Sequence, residues 1–479
     1  MAKKKQELDI GIVGLGVMGR NLALNIADHG FGAAGYDKDI SKVDLLRQEA
    51  EDRPVGAADN VADFIDLLKT PRAVMILVPA GPAVDSVIQD LLPHLEAGDV
   101  VIDGGNSHFP DTDLRAKTLA EKEILYLGVG ISGGEEGARR GPSIMPGGTM
   151  EGYTRVRDIL EAAAAKVDGE PCVTYLGPGS AGHYVKMVHN GIEYGLMQLI
   201  AETYDLLKRG AGLKDEELHD LYRRWSESEL AGYLMEITAN IFERSDERTG
   251  NRLIDMIEDE AQQKGTGMWT SQDAMNLGVP TPTIDTAVIM RNLSAREDER
   301  HQANGTLKGP QMSLSGNHTG FSDRLRNALY AAMILTYAQG MAQLHEASQA
   351  HDYGLDLEAV ARIWRGGCII RADLLEDIRA AFRRDPGLAN LMLNPELGQA
   401  VQQRQADLRA VVCAAAEHGI PVPGLMSALS YYDGYRSDWL PANLIQAQRD
   451  YFGAHSYERV DAEGSFHTQW QSPQEPIDD

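Results

Sequence analysis

Residues 8–16, LDIGIVGLG, run almost unbroken in apolar side chains into a cluster of glycines, and the following NLALNIADHG spaces its apolar positions as a helix would. A short apolar run closed by glycine reads as a buried strand, whereas recurrence every three or four residues reads as an amphipathic helix. The same succession returns at FGAAGYDKD (31–39), RAVMILVPAG (72–81), GDVVIDGGNS (98–107) and ILYLGVG (124–130), with helical patterns between them. Such alternation predicts an α/β, doubly wound (Rossmann-like), mostly parallel sheet that binds ligands at the carboxyl ends of its strands. From about residue 180 to 440 the alternation stops, and helical patterns broken by Gly, Pro or polar loops take over. The expected organisation is a dinucleotide-binding domain over 1–179, a large all-α substrate and dimerisation domain over 180–440, and a C-terminal tail over 441–479.

Gly14, Gly16 and Gly19 form GxGxxG at the first strand-to-helix junction. That spacing permits a tight turn, close approach of backbone amides to a pyrophosphate, and helix–strand packing. Asp37 closes the second strand-like run near the ~20-residue distance expected of a ribose-binding carboxylate. A carboxylate there accepts hydrogen bonds from the ribose hydroxyls of NAD and repels the extra phosphate of NADP. Lys38 partly offsets that repulsion and Asp39 adds to it, so the expected cofactor is NAD or NADP, with NAD favoured.

Within the helical region GHYVKMVHNGIEYG (182–195) places Lys186, His189, Asn190, Glu193 and Tyr194 in one polar stripe. Val188, Ile192, Leu196 and Leu199 fall on a neighbouring face. An amphipathic helix with a solvated face gives the same pattern, so the stripe alone does not decide between water and a substrate. Asn106 and Ser132, in glycine-rich loops after strand-like segments, can orient a hydroxyl or carboxylate, and Gly133 and Gly134 let backbone amides approach closely. A dinucleotide beside a Lys and a Glu suits oxidation of a secondary alcohol, with a base removing the hydroxyl proton as hydride departs. If the product is a β-keto acid, loss of CO2 needs proton donors at the carbonyl oxygen and at the nascent carbanion.

The helical region also echoes itself. HNGIEYGLMQ (189–198) leads to LYRRWSES (221–228), and RNALYAAMIL (326–335) leads to VARIWRGG (360–367). Asn190 to Asn327 and Trp225 to Trp364 are offset by a little under 140 residues, which predicts an internal helical repeat. The second copy carries Asp323, Arg326 and Tyr330 instead of the Lys, His and Glu of the first.

Composition narrows the partners. Hydrophobic residues make up 43% and charged ones 24%, a globular balance, and the net charge of −26 argues against nucleic acid and anionic membranes. No stretch approaches the ~18 apolar residues of a membrane span, and a cytoplasmic location is expected. Cys172, Cys368 and Cys413 show no metal spacing, so no metal is expected. An anionic ligand would require Lys and Arg gathered locally against the chain's own field.

GISGGEEGARRGPSIMPGG (130–148), GHYVKMVHNGIEYG, QQKGTGMWT (262–270) and QAQRDYFGAHSYE (446–458) resemble the 6-phosphogluconate dehydrogenase family, from the GLGVMG turn to the tail. The resemblance implies oxidative decarboxylation of 6-phosphogluconate to ribulose 5-phosphate and CO2 in the pentose phosphate pathway. It implies a homodimer whose tail crosses into the neighbour. Lys186 would be general base and acid, and Glu193 the acid that protonates the enediol. Asn106, Ser132, Gly133, Gly134, His189 and Asn190 would hold the sugar acid, with Tyr194, Lys264, Thr266, Arg291 and, from the other subunit, Arg449 and His455 around its phosphate. The cofactor is expected against Gly14, Gly16, Val17, Met18, Gly19, Asp37, Lys38, Asp39, Val78, Pro79, Ala80 and Asn106. The chain departs from the family where Asp37-Lys38-Asp39 replace an Asn-Arg-Thr run that cradles the NADP phosphate, and where Pro79 and Met268 each replace a Lys. A β-hydroxyacid dehydrogenase that does not decarboxylate would not need Glu193 or the Lys264, Arg291 and Arg449 cations. A dinucleotide sensor without turnover would have no use for Lys186 and Glu193 on one helical face.

Overall fold

The computed structural model describes residues 7–314 and 318–470, so the basic MAKKKQ start and the QEPIDD end lie outside the described residues. The chain forms two compact units, Met1–Leu429 and Ser430–Asp479.

The first unit opens with β1 (Ile10–Val13), α1 (Val17–Asp28), β2 (Ala33–Tyr36), α2 (Ile40–Ala50), β3 (Val55–Ala58), α3 (Val61–Ile65), β4 (Ala73–Ile76) and α4 (Pro82–Leu91). It continues through β5 (Val100–Asp103), α5 (Phe109–Ala120), β6 (Leu125–Ser132), α6 (Gly134–Arg140), β7 (Ser143–Gly148) and α7 (Met150–Ala163). The strands form one sheet in the order β3-β2-β1-β4-β5-β6-β7, parallel except where β7 runs antiparallel to β6. Alternate strand residues serve opposite faces. Ile10, Ile12, Met75, Val100 and Ile102 join the side chains of α1 and α7, while Val13, Val74, Ile76 and Val101 join those of α4. Both faces are therefore dry, as a parallel sheet with helical crossovers requires. The strand order reverses between β2 and β4 around β1, which opens a crevice at the glycine turn.

The stretch 130–148, expected as a glycine-rich loop, instead contributes the end of β6, all of α6 and the antiparallel strand β7. The glycines are there for packing. A Cβ at Gly147 would lie 2.3 Å from the amide nitrogen of Gly182, so β7 and the helix that begins nearby touch backbone to backbone. Two short strands, β8 (Lys166–Val167) and β9 (Glu170–Pro171), pair as a hairpin before the helical region.

That region starts with α8 (Ala181–Asp205), which carries the polar stripe. After it come α9 (Asp215–Ser226), α10 (Tyr233–Glu243), α11 (Thr266–Leu277), α12 (Pro282–Ser294) and α13 (Glu297–Thr306). The second half follows with α14 (His318–Ala350), α15 (Leu357–Trp364), α16 (Leu374–Arg384), α17 (Pro395–Glu417) and α18 (Pro423–Tyr435). In both halves a long helix precedes a shorter one that carries a buried tryptophan, Trp225 in α9 and Trp364 in α15. The stripe is not duplicated. Arg326 lies 3.7 Å from Glu229, Asn327 donates to Asp407 at 2.7 Å, and Tyr330 stacks under Arg404, so the second copy spends these positions on packing contacts.

In the second unit α19 (Ala442–Gly453) is followed by β10 (Tyr457–Glu458) and β11 (Ser465–Phe466), an antiparallel pair. Beyond α19 the segment folds around one carboxylate on that helix. Asp450 accepts hydrogen bonds from the amides of Ser456 and Thr468 and from the ring nitrogens of His467 and Trp470, all between 2.8 and 3.0 Å.

Candidate active site

The glycine turn shows three separate demands. Gly14 has a φ of +98°, and a Cβ there would stand 2.4 Å from the carbonyl oxygen of Leu77. A Cβ at Gly19 would meet the carbonyl oxygen of Gly14 at 1.9 Å, so α1 packs directly on the turn. Gly16 faces open space, which leaves the start of α1 free for a ligand's closest approach. Those are the features a pyrophosphate requires, and the residues fit a dinucleotide.

From Gly16 a cleft of about 740 Å³ runs along Val17, Met18, Gly19, Val78, Pro79, Ala80 and Asn106 to Lys264 and Trp269 of the helical region. A smaller cavity of about 250 Å³ continues past Gly14 to Tyr36, Asp37, Lys38, Ser86 and Asp90. At this far end Asp37 accepts from the Leu15 amide at 2.8 Å and from the Asp39 amide at 2.9 Å. Asp39 caps α2 through the Ser41 amide at 3.0 Å, and Lys38 pairs with Asp90 at 2.9 Å.

The loop that bears Asn106 is held from below. Asp103, fully buried at the end of β5, accepts from the Gly105 amide, the Ser107 hydroxyl, the Tyr126 hydroxyl and the Arg115 guanidinium at 2.6–3.4 Å. Arg115 also donates to the carbonyl of Gly81 at 3.1 Å, so one guanidinium ties together the two loops that line the cleft. His183 of α8 joins the same network through the Asp103 carbonyl at 3.0 Å.

On α8 the stripe is enclosed, which excludes the solvated-face reading. Lys186 is 5% exposed, His189 0% and Asn190 9%, while Val188, Ile192, Leu196 and Leu199 are buried beside them. The helix lies close because β6 yields to it: a Cβ at Gly130 would stand 2.3 Å from Lys186 Cβ. Burial pushes the Lys186 amine below its ordinary value, partly opposed by Glu193. Burial pushes the Glu193 carboxyl up, partly opposed by Lys186 and Arg291. Burial and the neighbouring Lys186 both hold His189 well below its usual range, so its ring is neutral. Two groups with ordinary affinities of opposite kind are thereby drawn towards each other, as a base and an acid working at one pH require.

The remaining stripe residues are fixed by hydrogen bonds and stacking. His189 Nε2 lies 3.4 Å from Ser132 Oγ, and its Nδ1 lies 3.2 Å from Asn190 Oδ1 and 3.8 Å from Glu193. Asn190 donates to Thr266 Oγ1 at 3.0 Å, which joins α8 to the start of α11. Arg291 of α12 stands over Tyr194, its Cζ 3.6 Å from the ring centre, and donates to the Gln262 carbonyl at 2.8 Å. Lys264 is exposed on the cleft wall, and Gly133 and Gly134, both at positive φ, open α6 beside Ser132. Arg449 and His455 belong to the second unit, where both are exposed.

Three contributors were not singled out from the sequence for this site. The Trp364 ring meets His189 edge-on at 5.5 Å, and the carbonyl oxygen of Gly367 would lie 2.5 Å from a Cβ on Gly133. Cys368 is buried within electrostatic reach of Lys186, its thiol pushed up to about 12 by burial. The signal for Trp364 and Gly367 was the echo VARIWRGG (360–367), which marks a helix end just before Cys368 without saying where that end packs. Among the described residues no group of three or more His, Cys, Asp or Glu stands together as a metal site would, and no helix is long and apolar enough to cross a membrane.

Comparison with known proteins gives matches over both parts of the chain. Residues 9–177 match the NAD binding domain of 6-phosphogluconate dehydrogenase, and residues 182–470 match the 6-phosphogluconate dehydrogenase C-terminal domain. The NADP(+)-dependent, decarboxylating 6-phosphogluconate dehydrogenase of Bacillus subtilis is 52% identical over 96% of this chain and 98% of its own. The decarboxylating 6-phosphogluconate dehydrogenase of Synechococcus elongatus is likewise 52% identical over 96% of this chain and 98% of its own. The solved Plasmodium falciparum 6-phosphogluconate dehydrogenase, studied in its apo form and in complex with NADP+ and with 6-phosphogluconate, superposes with a TM-score of 0.93 at 43% identity. It covers 96% of this chain and 100% of its own. With one dinucleotide crevice, one enclosed Lys–His–Glu stripe and matches along nearly the whole length, this chain belongs to the 6-phosphogluconate dehydrogenase family.

Proposed function

We propose that the protein oxidatively decarboxylates 6-phosphogluconate to ribulose 5-phosphate and CO2, in the pentose phosphate pathway of the cytoplasm. The observation that carries the reading is the opposite displacement of Lys186 and Glu193 on one enclosed helix face. When bound in the cleft, the nicotinamide supplies the hydride acceptor. Lys186, whose proton affinity burial lowers, takes the proton of the substrate hydroxyl as its carbon loses hydride. The resulting β-keto acid releases CO2 while Lys186 returns that proton to the carbonyl oxygen, leaving an enediol. Glu193, whose proton affinity burial raises, then donates to the carbon, and the product forms. Asn106, Ser132, Gly133, Gly134, His189 and Asn190 hold the sugar acid. Tyr194, Lys264, Thr266 and Arg291 surround its phosphate, with Arg449 and His455 delivered by a second copy in a homodimer that exchanges tails. Exposed Leu444, Ile445 and Phe452 on α19 support that exchange, since such a face is unusual on a free helix.

NAD is the preferred cofactor in this reading, in contrast to the NADP(+)-dependent Bacillus subtilis relative. Its support is the fixed Asp37 carboxylate at the ribose edge and Pro79 in place of a cation. Steady-state rates with each nucleotide, with CO2 and sugar product measured together, test both parts. The expected result is a higher kcat/KM with NAD and one CO2 per reduced nucleotide. Reduction without CO2 would remove the decarboxylation, and a higher kcat/KM with NADP would remove the preference.

A further inference from the structure

The ribose end of the nucleotide crevice contains two lysines, and both are engaged. Lys42 Nζ lies 3.5 Å from Asp37 and 4.0 Å from Asp39. Lys38 Nζ reaches across to α4, where it meets Asp90 Oδ2 at 2.9 Å and Ser86 Oγ at 3.5 Å. Ser86 and Asp90 are four residues apart on α4, so they stand on one helix face. That face walls the 250 Å³ cavity opposite Asp37. Lys38 is the cation nearest in sequence to Asp37, and it spans the cavity edge instead of standing over it.

We infer that Asp90 is a specificity-determining residue that acts through Lys38: it draws the ammonium onto α4 and so withholds it from a phosphorylated ribose. The inference rests on the NAD preference proposed above and deepens it. Three carboxylates, Asp37, Asp39 and Asp90, face two ammonium groups at this edge, so the local balance is one negative charge in excess. A 2′-phosphate arriving there adds further negative charge and must compete with Asp90 for Lys38. A ribose with a free hydroxyl requires no such competition. Asp90 is a positioning residue in this scheme, because it contacts the lysine and not the nucleotide. The pair is exposed, 63% for Lys38 and 43% for Asp90, so its energy is modest and its effect is on discrimination, not on folding.

The test is Asp90→Asn, alone and combined with Lys38→Ala, in the full-length enzyme. The readout is the ratio of kcat/KM with NADP to kcat/KM with NAD. The single variant is expected to raise that ratio about tenfold. In the Lys38→Ala background the same substitution should move it by less than about threefold, since no lysine remains to release. An unchanged ratio in the single variant would overturn the inference. An equal rise in both backgrounds would also overturn it, because simple removal of charge would then suffice. Direct binding of adenosine 2′,5′-bisphosphate and of 5′-AMP, measured by titration calorimetry, gives a second measure that does not depend on turnover. A gain for the bisphosphate alone supports the role, and equal changes for both refute it. The wild-type ratio separately reports whether NAD is preferred, so failure of that preference is distinguishable from failure of the Asp90 role.

Discussion

Gly130→Ala places one methyl group where β6 and α8 touch. The added Cβ would stand 2.3 Å from Lys186 Cβ, 2.8 Å from Lys186 Cγ and 3.2 Å from the carbonyl oxygen of Gly182. Carbon atoms in contact prefer about 3.5–4.0 Å, so strand and helix must separate by roughly 1 Å or more at the base of the lysine. Overpacking of this kind costs about 1–3 kcal/mol of stability. A displacement of about 1 Å in a catalytic group costs on the order of 100-fold in rate. The expectation is therefore a kcat lowered about 100-fold, with the apparent KM for the sugar acid changed much less, in a protein that still folds. Gly340→Ala supplies the comparison, because its Cβ would press on the same helix from α14, 2.4 Å from Ile192 Cγ1 and away from Lys186. That variant should lose stability by a similar amount and keep kcat within about threefold, since the flexible end of Ile192 can yield. Steady-state kinetics and thermal unfolding of both variants decide the matter. If Gly130→Ala retained kcat within about twofold, or if Gly340→Ala lost as much, the placement of Lys186 by β6 would not be what sets the rate.

Lys186→Met should lower hydride transfer by about 10³-fold or more, read as single-turnover formation of reduced nucleotide. Glu193→Gln should leave that burst in place but slow turnover and solvent-proton incorporation into the product; stereospecific incorporation at the wild-type rate would assign the proton to another group. Glu202 gives a stability test. Burial raises its carboxyl to about 7, against hydrogen bonds from Gln198 and from the amides of Leu425 and Gly424 at the start of α18. A carboxyl with raised affinity binds more protons folded than unfolded, so its contribution falls as pH rises from its ordinary 4.5 through about 7. The span corresponds to roughly 3 kcal/mol. The stability of the wild type relative to Glu202→Gln should therefore decline across that window in denaturant unfolding, and a difference independent of pH would remove Glu202 as the source.

Much of the nucleotide half was legible because its signals are local. Apolar runs closed by glycine specify buried strands, and the GxGxxG spacing specifies a turn whatever lies beyond it. β3 and β7 were harder to see. Val55–Ala58 is short and bounded by polar residues, and Ser143–Gly148 is half glycine and small side chains. Their strand conformation comes from neighbours, β2 for the first and β6 for the second. The stripe on α8 was legible as a stripe, since helical periodicity alone aligns Lys186, His189, Asn190, Glu193 and Tyr194.

By itself the sequence determined the succession of strands and helices, the glycine turn, and the alignment of an amine and a carboxyl on one helix face, because each depends on residues close together along the chain. Only the tertiary structure decided that this face is enclosed, that Trp364, Gly367 and Cys368 arrive beside it from the second half, and that Lys38 is turned onto Asp90. Burial and pairing depend on which distant segments meet. The proton affinities on which the proposed chemistry depends are set by that meeting: Lys186 loses water when β6 packs against α8, and no local pattern of residues fixes how much water a side chain keeps.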